Sequence, residues 1–175
     1  WSGAVVSSAR TALPEHDPSC YLCPGVTRAH GDRNPDYSGV YVFNNDFPSF
    51  SLNYSLEESH QNRPGDIPAR GVCRVVCFSP LHNITLPEMS REGVLEVMKA
   101  FRDQYAELSS IPEIANVMLF ENRGAVIGVS NPHPHGQIYA TDFIPRIPAS
   151  RLENARRWKK EHGGCVFCSV LADEL

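Results

Sequence analysis

The densest run of apolar positions is Gly71-Val-Cys-Arg-Val-Val-Cys-Phe78, cut off by Ser79-Pro80. Its β-branched content and abrupt stop predict a strand. Val40-Tyr-Val-Phe43, closed by Asn44-Asn45-Asp46 and Pro48, predicts another upstream. Asn116 to Glu121 and Gln137 to Asp142 predict two more, the last ended by Pro145 and Pro148. Asn122-Arg123-Gly124 reads as a turn, and Ala125 to Val129 as a further strand or a glycine-softened connection. One segment changes period. After Ser90, an N-cap residue, Val94, Leu95, Val97, Met98, Phe101, Tyr105 and Leu108 recur at helical spacing, which predicts one long helix with an apolar face. Ser150-Arg-Leu-Glu153 has the form of a capping box and predicts a second helix to about His162, stopped by Gly163-Gly164. Ser169 to Leu175 reads as the beginning of another element. Residues 1–19 and 49–69 carry no period and predict irregular chain. Non-local strands around one long helix predict an α+β fold, a mostly antiparallel sheet backed by that helix. Strict β-α-β alternation is missing, as are GxGxxG and GxxxxGK loops, which sets aside dinucleotide-fold and P-loop readings.

Composition narrows the class. At 175 residues, 42% apolar and 21% charged, the chain is an ordinary soluble domain able to bury its own core. Net charge is −4 with no run of like charges, so a nucleic-acid or membrane-surface partner is not expected. The basic cluster Arg156, Arg157, Lys159 and Lys160 fits a solvated helix face. No window of about 18 apolar residues could span a bilayer, and no charged-then-apolar leader is visible. The chain begins at Trp1, the mark of a processed or trimmed piece.

The six cysteines include two CxxC pairs, Cys20-Tyr-Leu-Cys23 and Cys165-Val-Phe-Cys168, the spacing of metal knuckles and redox motifs rather than of a disulfide framework. A reducing, cytoplasmic setting is expected. Cys73 and Cys77, four apart in a strand, face one side and read as buried apolar residues. Zinc takes about four N or S ligands. Cys20 and Cys23 can supply two, and His82 and His133 the others. Spacing alone leaves the redox alternative open, although that option calls for a βαβ context that is not seen.

The chemistry centres on Asn131-Pro132-His133-Pro134-His135-Gly136-Gln137. In an extended strand His133, His135 and Gln137 share one face. Pro132 and Pro134 keep the row extended, and Gly136 leaves room for a bulky group against the main chain. Such a row suits phosphoryl chemistry: one imidazole attacks phosphorus, the amide donates to its oxygens, and the other imidazole is tied to a metal that holds the row still.

This row resembles the active-site signature of the galactose-1-phosphate uridylyltransferase family, a branch of the histidine-triad superfamily. Supporting segments follow in the family's order: His-Asp-Pro-Ser-Cys20-Tyr-Leu-Cys23-Pro-Gly, Asn-Pro-Asp-Tyr37, Val-Phe-Asn-Asn45-Asp46-Phe, Cys-Phe-Ser-Pro-Leu-His82, Glu121-Asn122-Arg-Gly124 and Gly128-Val-Ser130-Asn-Pro-His133. The match is good to about residue 145 and weaker beyond. The resemblance implies a histidine-triad-like catalytic domain over residues 1–147. Residues 148–175 would then be a helix and second CxxC leading toward a C-terminal half that the chain lacks, as it lacks the family's segment before Trp1. It implies ping-pong transfer of UMP from UDP-glucose to galactose 1-phosphate, through a uridylyl group on His135, in a cytoplasmic homodimer. Gln137 and Ser130 would donate to phosphoryl oxygens, and Asn45 and Asp46 would hold the ribose. Asn122, Gly128, Val129 and Ser130 would lie along the phosphates, and Ala29 near the uracil. The zinc ligands would be Cys20, Cys23, His82 and His133.

Two departures from the family pattern stand out. Arg151 occupies the aligned place of a metal-binding glutamate, with Glu153 nearby, and Cys165 and Cys168 resemble half of a second zinc site found in some relatives. Two other readings remain. One is an adenylyl or other nucleotidyl transferase or phosphorylase acting on ADP-sugars or dinucleotide polyphosphates, whose members tend to carry Ser where this chain has Gly136. The other is an inactive zinc-stabilised nucleotide-binding module. A zinc-ribbon nucleic-acid module is disfavoured by the net negative charge and the distance between the CxxC pairs.

Overall fold

Four strands form one antiparallel sheet in the order β1-β2-β4-β3, in a computed structural model that describes residues 13–53, 69–124, 129 and 131–174. The strands are β1 (Tyr41–Asn44), β2 (Gly71–Cys77), β3 (Asn116–Phe120) and β4 (His135–Thr141). They lie within a residue or two of the runs that β-branched content singles out. The stretch 125–128, and with it most of the suggested strand before Val129, lies outside the described residues.

Register sorts the side chains onto two faces. Cys77 pairs with His135 and Val75 with Gln137, so these four share a face, while Val76 opposite Gly136 shares the other. The long helix α1 (Arg91–Ser109) covers the second face. Ser90 accepts a hydrogen bond from the Gly93 N–H as the expected N-cap. Val76, Val97, Leu108 and Ile138 are fully buried in that layer. Each such side chain contributes roughly 1.5–3 kcal/mol, against about 1 kcal/mol for a cap. Packing therefore holds the helix more than its N-terminal signal does. Arg74, on the same face of β2, adds a clamp by donating to Gln104 and Glu107 of α1.

The apolar face of α1 is narrower than its sequence period implies. Val97 and Leu108 are buried and Phe101 packs beside them, but Leu95, Met98 and Tyr105 are about half exposed. The Val97-Phe101-Leu108 row points into the sheet, and Leu95-Met98-Tyr105 lies about 100° further round. Cys73 and Cys77 are buried on the other face, as their spacing requires.

A second correction concerns α2 (Arg146–His162). It starts four residues before the Ser150 box, after Pro145 as N-cap. Pro148 lies in the first turn, where N–H groups have no intrahelical acceptor and proline is tolerated. The expected stop is present: Gly163 takes φ 75° as a left-handed cap. Helix α3 (Val166–Glu174) follows at once, earlier than Ser169. Neither α2 nor α3 buries a residue. Among the described residues no helix is long and apolar enough to cross a membrane.

Candidate active site

On the sheet face opposite α1, the chain between Pro18 and Tyr37 folds into a knuckle. Cys23 donates its N–H to the Cys20 carbonyl, and the Leu22 N–H points at the Cys20 Sγ at 3.4 Å. Gly25 turns the chain at φ 70°, which L side chains avoid. The buried Asn34 amide donates to the carbonyls of Tyr21 and Cys23, tying the return segment to the knuckle. Leu22, Cys20 and Cys23 pack on Phe43, Val75 and Cys77 of the sheet.

Cys20, Cys23, His82 and His133 come together here, all buried, with one ligand atom from each lying within 4.8 Å of the others. His133 Nδ1 and His82 Nδ1 stand 3.5 and 3.6 Å from Cys23 Sγ. Tetrahedral zinc, with sulfur at about 2.3 Å and nitrogen at about 2.05 Å, separates S from N by about 3.6 Å. The four side chains therefore fit a metal ion. Burial, then the neighbouring His82, pulls the His133 ring down to about 4, and burial lowers His82 also. Both rings are thus neutral at pH 7, the form that ligates. Burial pushes the Cys23 thiol up to about 11, a cost that a bound divalent cation reverses by favouring the thiolate.

The outer contacts orient these ligands. His133 Nε2 donates to the Ser79 carbonyl at 3.0 Å and meets the Tyr37 hydroxyl at 3.1 Å, which leaves Nδ1 as the lone-pair nitrogen facing the sulfurs. Tyr37 in turn donates to the Leu22 carbonyl at 2.5 Å. Asn131 accepts from the His133 N–H at 3.0 Å and donates to Cys20 Sγ at 3.4 Å. The residue two before the first histidine is therefore part of the cluster's frame.

From His133 the chain enters β4. Pro134 continues the ladder by accepting from the Phe78 N–H, and His135 opens the strand. His135 Nδ1 lies 2.7 Å from the His133 carbonyl oxygen. A carbonyl only accepts, so Nδ1 carries the proton and Nε2 the lone pair. His135 and Gln137 both line a cleft of about 390 Å³. Both histidine rings lie on the knuckle side of the sheet, one closing the group of Cys20, Cys23 and His82 and the other opening onto the cleft.

Ala29, Asn45 and Asp46 line the same cleft, brought there by the loop after the knuckle and the end of β1. Asn45 is held by its N–H on the Cys73 carbonyl and by its side chain, which accepts from the Phe47 N–H. Asn122 is exposed in the loop after β3 and is not among the cleft-lining residues. Val129 is half-buried, with its N–H on the Gly124 carbonyl. Gly128 and Ser130 lie outside the described residues. Cys165 and Cys168 are exposed at the start of α3, and among the described residues no third His, Cys, Asp or Glu joins them.

The cleft also contains residues that the motifs did not single out: Tyr21, Leu22, Thr27, Arg28, Phe43, Phe47 and Val75. Two of these were legible by period, since Phe43 and Val75 share the sheet face of Gln137. Tyr21 and Leu22 occupy the middle of the first CxxC and reach the cleft because the knuckle turns them over the sheet. Gly136 points the other way. A Cβ there would come within 2.9 Å of Phe78 and 3.0 Å of Phe101, so the bulky groups it admits are these rings, not a ligand.

Comparison with known proteins agrees with this architecture. The family model for galactose-1-phosphate uridyl transferase, N-terminal domain, matches residues 1–145. A probable galactose-1-phosphate uridylyltransferase of Drosophila melanogaster is 43% identical over 176 residues, covering 100% of this chain and 50% of its own length. The Rattus norvegicus galactose-1-phosphate uridylyltransferase is 38% identical over 181 residues, covering 100% and 46%. Among solved structures, one of a uridylyltransferase superposes with TM-score 0.74 at 26% identity, covering 91% of this chain and 51% of that one. An ADP-glucose phosphorylase of Arabidopsis thaliana with bound ADP-glucose superposes with TM-score 0.66 at 26% identity, covering 89% and 50%. The chain spans about half the length of the curated relatives it matches. Because that family model spans residues 1–145, most of the chain, the chain belongs to the galactose-1-phosphate uridylyltransferase family, to whose N-terminal domain those residues correspond.

Proposed function

We propose that this chain carries the uridylyl-accepting histidine of an enzyme that moves UMP from UDP-glucose to galactose 1-phosphate. The observation that supports it most is the 2.7 Å contact from His135 Nδ1 to the His133 carbonyl, which leaves Nε2 as the nucleophilic nitrogen beside Gln137 in the cleft. In the first half-reaction the Nε2 lone pair attacks the α-phosphorus of UDP-glucose. The N–P bond forms as the P–O bond to the β-phosphate breaks, and glucose 1-phosphate leaves with the electron pair. The imidazole, now carrying uridylyl and its Nδ1 proton, is cationic, and the His133 carbonyl oxygen faces that charge. In the second half-reaction a phosphate oxygen of galactose 1-phosphate attacks the same phosphorus, UDP-galactose leaves, and neutral His135 returns. Two displacements replace one. The leaving groups are phosphates, so no strong general acid is needed.

Gln137 donates to non-bridging oxygens of the transferring group, with Ser130 as a second donor, a contribution of about 2–4 kcal/mol for a well-placed donor. Asn45 and Asp46 hold the ribose, and Ala29 lies by the uracil. Asn122, Gly128 and Val129 run along the phosphates. Cys20, Cys23, His82 and His133 hold zinc, which supplies rigidity to the strand entry rather than an open coordination position. Residues 1–147 act as the catalytic domain. Cys165 and Cys168 are half of a second zinc site completed by residues beyond this chain, and the complete protein works as a cytoplasmic homodimer. UDP-glucose labelled at the α-phosphorus, incubated with the complete protein, is expected to leave acid-labile, base-stable label on His135, and ADP-glucose to leave none. Label on any other residue, or preferential labelling from ADP-glucose, overturns the reading.

A further inference from the structure

Arg28 is the one arginine among the described residues that line the cleft, and it belongs to none of the motifs above. It sits in a tight loop, its N–H on the Asp32 carbonyl and its own carbonyl accepting from Gly31. Its side chain is only 8% exposed. The guanidinium stacks on Phe43, with Cζ 4.1 Å from the ring centroid, and pairs with Asp32 through Nη2 at 2.9 Å. Nη1 lies 3.3 Å from Asp46 Oδ1, whose side chain is also nine-tenths buried. Yet Nη1 and Nε are buried with no hydrogen-bond partner among the described residues. A buried donor left unpaired is costly and rare in finished structures. The same loop grips Asp46 a second time, since His30 Nε2 donates to its carbonyl oxygen at 2.6 Å. Loop 27–33 is thus fastened to Asp46 at both main chain and side chain, with an ion pair short of hydrogen-bond alignment. Contacts of that kind commonly tighten when the substrate arrives.

We propose that Arg28 is a positioning residue that sets the Asp46 carboxylate for the ribose hydroxyls of the nucleoside diphosphate sugar, and so makes the site discriminate ribose from deoxyribose. The inference rests on Asp46 being the ribose contact. Arginine suits the task because its planar fork reaches Asp32 at the rim and Asp46 in the cleft together, while stacking on Phe43. A lysine has one point charge and cannot do all three. The charge lies off the reacting phosphorus, so its loss acts on nucleotide binding rather than on the displacement.

The test compares UDP-glucose with its 2′- and 3′-deoxyribose analogues in the complete protein, for wild type, Arg28→Lys, Arg28→Met and Asp46→Asn, with metal content measured to verify folding. Wild type is expected to prefer the ribose substrate by roughly 10- to 100-fold in kcat/KM, the span of one buried hydrogen bond to a charged group. Arg28→Met is expected to raise KM for UDP-glucose about 10-fold or more, to leave kcat within about threefold, and to shrink the preference to a few-fold. Arg28→Lys should lie between, and it serves where the methionine variant does not fold. Undiminished ribose preference in both folded Arg28 variants, or a fall in kcat with KM unchanged, overturns the role of Arg28 while leaving Asp46 on the ribose. Wild type that treats the sugars alike, or an Asp46→Asn variant that keeps full preference, overturns the ribose assignment and this inference with it.

Discussion

His135 donates its Nδ1 proton to the carbonyl oxygen of His133, two residues back, at 2.7 Å. That single bond joins the Cys20-Cys23-His82-His133 cluster to the proposed nucleophile. The side chain of His133 is locked by Cys23, Ser79 and Tyr37, so its carbonyl is a fixed acceptor, and a fixed acceptor selects both tautomer and ring angle of His135. Because the bond runs to main chain, no substitution at 133 removes it directly. It is disturbed only by loosening what holds His133.

Replacing His135 with alanine is therefore expected to abolish uridylyl transfer, by at least about 10⁴-fold in single-turnover rate, without unfolding the chain. The ring is half-buried and belongs to neither apolar layer of the core. Rapid-quench measurement in the complete protein gives the rate, and circular dichroism gives the fold. Residual transfer within tenfold of wild type would sink the assignment of the nucleophile.

Metal removal should act on stability first. Four buried side chains that fit a metal ion, the outermost of them (Cys20 and His133) more than 100 residues apart in sequence, would tie the knuckle to the sheet through it. At free zinc 1,000-fold above its dissociation constant, binding adds about 4 kcal/mol. Chelator treatment, or Cys23→Ser, is expected to lower the thermal midpoint by several degrees, with one equivalent of zinc lost per chain by atomic absorption. Unchanged melting after complete demetallation is the contrary result.

Tyr37→Phe tests the outer contacts. The variant keeps the ring stacked on Tyr41, centroids 5.0 Å apart, but removes the hydroxyl from the Leu22 carbonyl and His133 Nε2. Zinc affinity is expected to fall by roughly 10-fold, the usual effect of an outer partner, in competition with a chromophoric chelator. An unchanged affinity means that the Ser79 carbonyl alone orients His133.

Some of this arrangement is written in local sequence, and some only in the fold. The strands of the sheet and α1 announced themselves by period and composition, and Cys20, Cys23, His82 and His133 by ligand chemistry joined to a family pattern. What stayed hidden was set by distance in three dimensions. The Leu95-Met98-Tyr105 row looks as apolar as the Val97-Leu108 row, and only the sheet's placement distinguishes them. Arg28 carries no motif, because what marks it is its ion pair with Asp46, 18 residues away in sequence. The start of α2 misled for a local reason: a capping-box pattern at Ser150 lies inside a helix that Pro145 and Pro148 already permit.

Gly136 sits between the site and the core. Gly136→Ala is expected to destabilise the chain by roughly 1–3 kcal/mol, the range for overpacking, because the new methyl meets Phe78, Phe101 and the Phe120 carbonyl within about 3.0 Å. Its effect on transfer should come through displacement of β4, and so appear in kcat for UDP-glucose with no activity gained on ADP-glucose. Chemical denaturation and parallel kinetics check both halves. A stable variant with altered base preference would place this residue's role in the cleft, against its observed direction.

The opposite face offers a pH test free of metal and substrate. Arg74 Nη2 holds Glu107 Oε1 at 2.7 Å, and that hydrogen bond, helped by the arginine charge, lowers the Glu107 carboxyl below its ordinary value near 4.5. A carboxyl whose folded value is depressed binds fewer protons folded than unfolded between the two values, so stability rises with pH there. The contribution is fully present above about 4.5 and disappears as pH falls through the lowered folded value. Glu107 is 54% exposed, so solvent screens the pair and about 0.5 kcal/mol is the appropriate scale. Glu107→Gln should thus be less stable than wild type by about that amount at pH 7, with the gap closing as the solution is taken below pH 4.5. Urea titrations at closely spaced pH values resolve it. A gap that persists unchanged to acid pH would assign the loss to α1 packing instead of the ion pair with Arg74.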